Sequence, residues 1–146
     1  MIVTDANKKT LKQLKNAERE KQDAELKARC EAIAIERIGS EDALKQLSNA
    51  SKGLWYMPII NDDESIEKML IMKPIDRHIL SLASTKIEDE GLYLFLEACM
   101  RECTIEAHDG KQLSDMEIIE DDDYFIPAAM KFNKIMENKK VAFLKR

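Results

Sequence analysis

Hydrophobic and polar positions follow three textures along this chain. From residue 5 to residue 38 there is no Pro or Gly, and Ala, Leu, Glu, Lys, Gln and Arg dominate. Those residue types predict one long helix. Thr4 or Asp5 can cap its start, and Gly39 stands where a helix-ending glycine belongs. Asp23 and Glu25 stand four residues before Lys27 and Arg29, a spacing that supports helix-surface ion pairs. Positions 14, 17, 21, 24, 28, 31, 35 and 38 follow a three-and-four spacing, with Leu14, Ala17, Ala24, Ala28, Ile35 and Ile38 apolar and Lys21 and Glu31 interrupting. So narrow a stripe of mainly small residues fits a coiled-coil seam, a helix ordered on a partner, or an exposed extension.

Ser40, followed by Glu41 and Asp42, predicts a second, short helix to about Asn49 that shows Ala43, Leu44 and Leu47. Asn49 to Gly53 is a linker. The second texture then begins: Leu54–Pro58 and Ile66–Lys73 are β-type runs around the polar cluster Asn61–Ser65, which predicts a β-hairpin. Pro58 has no N–H and belongs at a strand end or on an edge strand. A lone hairpin is marginal in water, so it must pack on helices or another chain.

The third texture is helical again. Lys73-Pro74 closes the second strand and opens a helix with Pro in its first turn, burying Ile75, Ile79, Leu82 and Ala83. Another helix is expected from about Glu88 to Cys103, carrying Leu92, Phe95, Leu96, Cys99 and Cys103. His108-Asp109-Gly110 makes a turn, and Glu120–Asp123 leads into a last helix with Phe125, Ala129, Phe132, Ile135 and Met136 on one side. The expected fold is mainly α with a small β-hairpin (α+β). It divides into a charged helical arm over 1–38, a short helix and linker over 40–52, and a hairpin-plus-helices domain over 53–146.

Composition narrows the function. Hydrophobic residues are 45% and charged residues 35% of the 146 positions, enough for a core under a highly charged surface. Only 4 Gly and 3 Pro argue against a turn-rich all-β design. Residues 1–52 hold 11 basic and 9 acidic side chains, whereas residues 53–146 hold 12 basic and 19 acidic, so the body is acidic and repels phosphate backbones. Lys8, Lys9, Lys12 and Lys15 form a basic run without aromatic neighbours, the pattern of a solvated helix face and not of a nucleic-acid contact. Three cysteines, Cys30, Cys99 and Cys103, do not make a secreted disulfide framework. No apolar run reaches the roughly 18 residues of a membrane span, and the start has no apolar signal region, so cytoplasmic residence is expected.

Candidate chemistry is sparse. Cys99 and Cys103 lie four apart with His108 behind them, a set that zinc could use, but both fall on the apolar stripe where Cys acts as a small hydrophobe. The Glu120–Asp123 run lacks the ligand spacing of a calcium loop and suits a helix N-terminus. No nucleophile, phosphate-loop or dinucleotide signature occurs. The expectation is therefore a non-enzymatic binding protein without metal or cofactor. Trp55, Tyr56 and Met57 are its candidate contact patch, beside the helical stripe Leu14, Ala17, Ala24, Ala28, Ile35 and Ile38.

From about Gly53 onward the chain resembles the phage tail assembly chaperones. The resemblance rests on the order of features: a hairpin ending in Met72-Lys73-Pro74-Ile75-Asp76-Arg77, a helix with His78-Ile79-Leu80-Ser81-Leu82-Ala83, a second helix with Leu96-Glu97-Ala98-Cys99, a polar Gly-containing loop, and Asp122-Asp123-Tyr124-Phe125-Ile126-Pro127-Ala128-Ala129 opening the last helix. The long N-terminal helix has no counterpart in that pattern. The resemblance implies a helper that covers a helical tape-measure protein during virion assembly, acting in the host cytoplasm, with homo-oligomers expected. The competing expectation is a structural virion component, a head, connector or tail subunit, that assembles through its N-terminal helix.

Overall fold

The computed structural model describes residues 5–89, 91–136, 142 and 144–146, with side chains for all of these except 5–10 and 85–89. The protein is mainly helical, built around one antiparallel hairpin that carries helices on both faces. Helix α1 spans Asp5–Ile38 and α2 spans Glu41–Ala50. Gly39, at φ 111°, turns the chain between them, a backbone angle that a side chain would strain. Ser40 caps α2 by accepting a hydrogen bond from the Ala43 N–H at 3.1 Å.

Strands β1 (Trp55–Ile60) and β2 (Ile66–Met72) pair with Trp55 opposite Met72 and Pro58 opposite Met69, with a register shift between Ile59 and Ile60. The Asp63 carboxylate accepts from the N–H and hydroxyl of Ser65 and stiffens the connecting turn. These bonds hold Asp63 below the usual carboxylate range, with help from Arg29. Successive residues of β2 enter two separate cores. Leu70 and Met72, with Met57, join the helices that follow the hairpin, whereas Met69 and Ile71 join α1, α2 and Leu113. Burial on both faces explains why the second half of β2, Met69 to Met72, is an unbroken apolar run.

The first core is completed by α3 (Arg77–Asp89), α4 (Leu92–Cys103), α5 (Glu117–Glu120) and α6 (Asp122–Met136). Phe132, Leu96, Met100, Cys99 and Cys103 are its most enclosed members. Three expected boundaries move. Pro74 does not open a helix: α3 starts three residues later, at Arg77, where the Asp76 carboxylate accepts from the Ile79 N–H at 2.9 Å and so provides the cap. Glu88 belongs to the end of α3, and α4 begins only after Gly91, with Leu92 exposed. The acidic run is split: Glu120 ends the one-turn α5, and Asp121 caps α6 by accepting from the Asp123 N–H at 3.0 Å.

The second core corrects the expected face of α1. Its inward residues are Leu26, Cys30, Ile33, Ala34 and Ile38, with Ile35 half-buried beside them. Ala24 and Ala28 of the expected seam are exposed. Arg37 also lies on this side, which apolar spacing alone could not reveal. Its guanidinium donates to the carbonyls of Leu113 (2.5 Å) and Met69 (3.4 Å) and pairs with the Asp115 carboxylate at 2.8 Å. The last turns of α1 thus belong to the body, and the part of the helix that stands clear of it ends near Lys21 and not at Ile38.

Candidate functional site: an open strand edge and a free helical arm

The hairpin has two edges, and the chain treats them differently. Along β2, the segment after α4 supplies partners for the outward backbone groups of Met69 and Ile71 and for the Lys73 N–H. Ile105 N–H donates to Ile71 C=O at 2.8 Å, Lys73 N–H to Cys103 C=O at 2.8 Å, and Asp115 N–H to Met69 C=O at 3.0 Å. Ser114 Oγ, fully buried, accepts from the Ile71 N–H at 2.8 Å and lies 2.8 Å from the Ile105 carbonyl as its donor. The Asp115 carboxylate accepts from the Met69 N–H at 2.8 Å. The small hairpin of β3 (Ala107–His108) and β4 (Lys111–Gln112) reverses this covering segment through Asp109 (φ 50°) and Gly110 (φ 79°), the paired positive angles of a tight hairpin turn.

The same bonds assign the groups on β1. Since Met69 and Ile71 point their N–H groups away from β1, their opposite residues Pro58 and Tyr56 point theirs away from β2. The outer edge therefore offers the N–H and C=O of Tyr56 and the C=O of Pro58. Among the described residues none of these makes a backbone hydrogen bond. Pro58 occupies an outward position, where its missing N–H removes nothing from the β1–β2 ladder, as expected for an edge strand.

A groove of about 570 Å³ lies along this edge. Asp23, Leu26, Lys27 and Cys30 of α1, Trp55 to Pro58 of β1 and Ile135 near the end of α6 line it. A second hollow of about 390 Å³ shares Asp23 and Leu26 and reaches Ile60 and Glu64, so the depression follows β1 towards the hairpin turn. There Arg29 donates to the Glu64 carbonyl at 2.7 Å and ties α1 to the turn. Tyr56 sits half-buried in the groove; burial, then Glu31 and Cys30, push its hydroxyl up to about 12, so the phenol stays neutral.

The candidate contact residues divide accordingly. Trp55, Tyr56 and Met57 all line the groove, although Met57 is itself 7% exposed and is mainly a core residue. Leu14, Ala17, Ala24 and Ala28 are exposed on α1, Ile35 is half-buried, and Ile38 is buried in the second core and is not available to a partner. Every residue from Leu11 to Glu25 is exposed, with Leu11 and Leu14 each 61% open to solvent. Sequence reasoning missed Leu26, Cys30 and Ile135 as residues lining the groove. It also missed an apolar patch on the α3–α4 pair, where Leu80, Leu82, Leu92, Tyr93 and Leu94 remain exposed.

Cys99 and Cys103 are enclosed in the first core, whereas His108 is partly exposed on β3 and lies 3.4 Å from the Asp109 carboxylate. Burial, followed by the neighbouring Cys99, holds the Cys103 thiol up at about 12, so it is a neutral thiol at physiological pH. Among the described residues no group of three His, Cys, Asp or Glu side chains is placed to hold a metal ion. No helix among them is long and apolar enough to cross a membrane. Comparison with protein-family models, with curated proteins and with solved structures gives no match.

Proposed function

We propose that this chain is a non-enzymatic protein-binding protein that covers a helical partner, in the manner implied by its resemblance to the phage tail assembly chaperones. The observation that carries the reading is the free arm. From Leu11 to Lys21, about 16 Å of helix, every side chain is exposed and none lines a hollow of the body. A charged helix of that length gains nothing from the fold it is attached to, and in isolation it is marginal. Its apolar residues Leu11 and Leu14 stand three apart on one side, ready for a second helix. A tape-measure-type protein, long and helix-rich, offers such a surface, and the acidic body limits association between copies of the chaperone.

The test is co-expression of the full chain with a tape-measure protein from the same genome, scored by the fraction of that protein left in the supernatant. The full chain keeps it soluble, and a Leu11→Lys, Leu14→Lys variant with unchanged circular dichroism loses that effect. Equal solubilisation by both chains would remove the arm from the binding surface. The same arm suits a virion subunit that bundles with copies of itself. Mass spectrometry of purified particles separates the two roles, since a subunit is present in quantity and a chaperone is scarce.

A further inference from the structure

The open edge of β1 is a second surface, and it does not depend on what the arm binds. Among the described residues, the N–H and C=O of Tyr56 and the C=O of Pro58 point outward without a backbone partner. These groups have the spacing of a sheet ladder, so the backbone that matches them is an extended one. An antiparallel strand pairs with Tyr56 through a single residue and two hydrogen bonds. Two residues earlier in that strand, an N–H reaches the Pro58 carbonyl. Pro58 returns no donor, so the ladder ends there and the added segment is short.

The surroundings set the side chains of such a segment, which alternate between the two faces of the sheet. Tyr56 packs with the second core, to which Leu26 and Cys30 also belong. Trp55 and Met57 pack with the first core, as does Ile135. All of these residues line the groove, so an added strand meets apolar side chains on both of its faces. The charges are uneven along its length. At the hairpin-turn end, the hollow beside Ile60 is lined by Asp23, Glu25 and Glu64 against one cation, Arg29, which is already bonded to the Glu64 carbonyl. Asp62 and Asp63 stand exposed next to it. Further along the groove Asp23 and Lys27 offset one another, and Leu54, Met72 and Ile135 carry no charge. An antiparallel strand has its N-terminal side at the turn, so that side is the one that meets the carboxylates.

We propose that the β1 edge docks a short extended segment of another protein, antiparallel to β1. The segment has apolar side chains opposite Tyr56, Met57 and Pro58 and a lysine or arginine just N-terminal to them. A helix cannot use this site, because its N–H and C=O groups are paired within itself. The chain therefore has two docking surfaces of different kinds, the arm for a helix and the edge for a strand.

The experiment is a titration of the full chain, followed by residue-resolved NMR and amide exchange, with two capped hexapeptides. Written from the N-terminus, they are Lys-Thr-Val-Val-Val-Thr and Glu-Thr-Val-Val-Val-Thr. With the lysine peptide at about 1 mM, the Tyr56 N–H should shift and exchange about fivefold slower or more, while the Ile71 amide is unchanged. The glutamate peptide should bind about threefold more weakly or worse, and the gap should close in about 1 M salt. A Tyr56 amide that does not respond to the lysine peptide would overturn the proposal. So would equal binding of the two peptides at low salt, or shifts confined to Leu11–Lys21, which would assign extended segments to the arm.

Discussion

The two strands of one hairpin meet opposite fates. Strand β2 is buried on both faces, and its outer edge is closed by Ser114, Asp115 and the residues around Ile105. Strand β1 has half-buried residues on both faces and an outer edge without a backbone partner among the described residues. The difference shows how a two-stranded sheet, marginal alone, becomes stable here. One strand is made the axis of the fold, joined to every other layer, and the second strand is left as the place where something can be added. The same division runs along α1, whose last turns are anchored through Cys30, Ala34 and Ile38 while its earlier turns are bare.

This contrast can be broken most forcefully at β2. Ile71→Ala removes a fully buried side chain from the second core and should cost about 2–5 kcal/mol, read from the shift in urea midpoint. Ser114→Ala leaves the Ile71 N–H without its acceptor inside the protein and should cost about 1–3 kcal/mol in the same assay. If that substitution is neutral, the closed edge does not stabilise the fold and the contrast is only geometric.

Alkaline pH should weaken both strands together. Cys103, which packs against β2, keeps its proton up to about 12 in the folded chain, whereas an unfolded thiol releases it near 9.0. Tyr56 on β1 behaves alike, held up to about 12 against an ordinary value of 10.0. Above pH 9 the unfolded chain therefore binds fewer protons than the folded one, and stability falls as pH rises from about 9 to about 12. Below pH 9 these groups make no difference. Denaturant midpoints at pH 8, 10 and 11 check the sign, and a flat series would contradict the burial of these two groups.

Smaller effects sharpen the contrast on the open side. Pro58→Val restores an N–H to the outer edge without touching the β1–β2 ladder, so folding stability should change by about 0.5 kcal/mol or less. Self-association should rise instead, detectable by light scattering, because a barrier to edge pairing is gone. The smallest effect is on the arm: Leu11→Lys with Leu14→Lys should leave the stability of the body within about 0.5 kcal/mol.

How much of this was legible depends on which forces act locally. The helical arm, the Ser40 cap, the hairpin and the edge position of Pro58 follow from residue type and short-range spacing, and the structure has them where the sequence predicts them. The buried face of α1 was misread because its inward row includes Arg37, whose place is set by acceptors 32 and 78 residues away in sequence, at Met69 and Asp115. Pro74 was placed inside a helix because proline suits a first turn, but Asp76 provides the stronger cap two residues on. For the site, Trp55 and Tyr56 were visible as large amphipathic residues on a strand. Their groove was not, since Leu26, Cys30 and Ile135 come from helices far along the chain and meet β1 only in the folded state.

The central claim, that one edge of the hairpin is sealed by the body and the other is not, is tested most directly by residue-resolved amide exchange in the full chain. The Met69 and Ile71 amides should exchange only through global unfolding, at rates tracking denaturant stability, and the Tyr56 amide should exchange at least about 100-fold faster. A Tyr56 amide as slow as Ile71 in that chain would show that the body itself closes the β1 edge and would contradict the account.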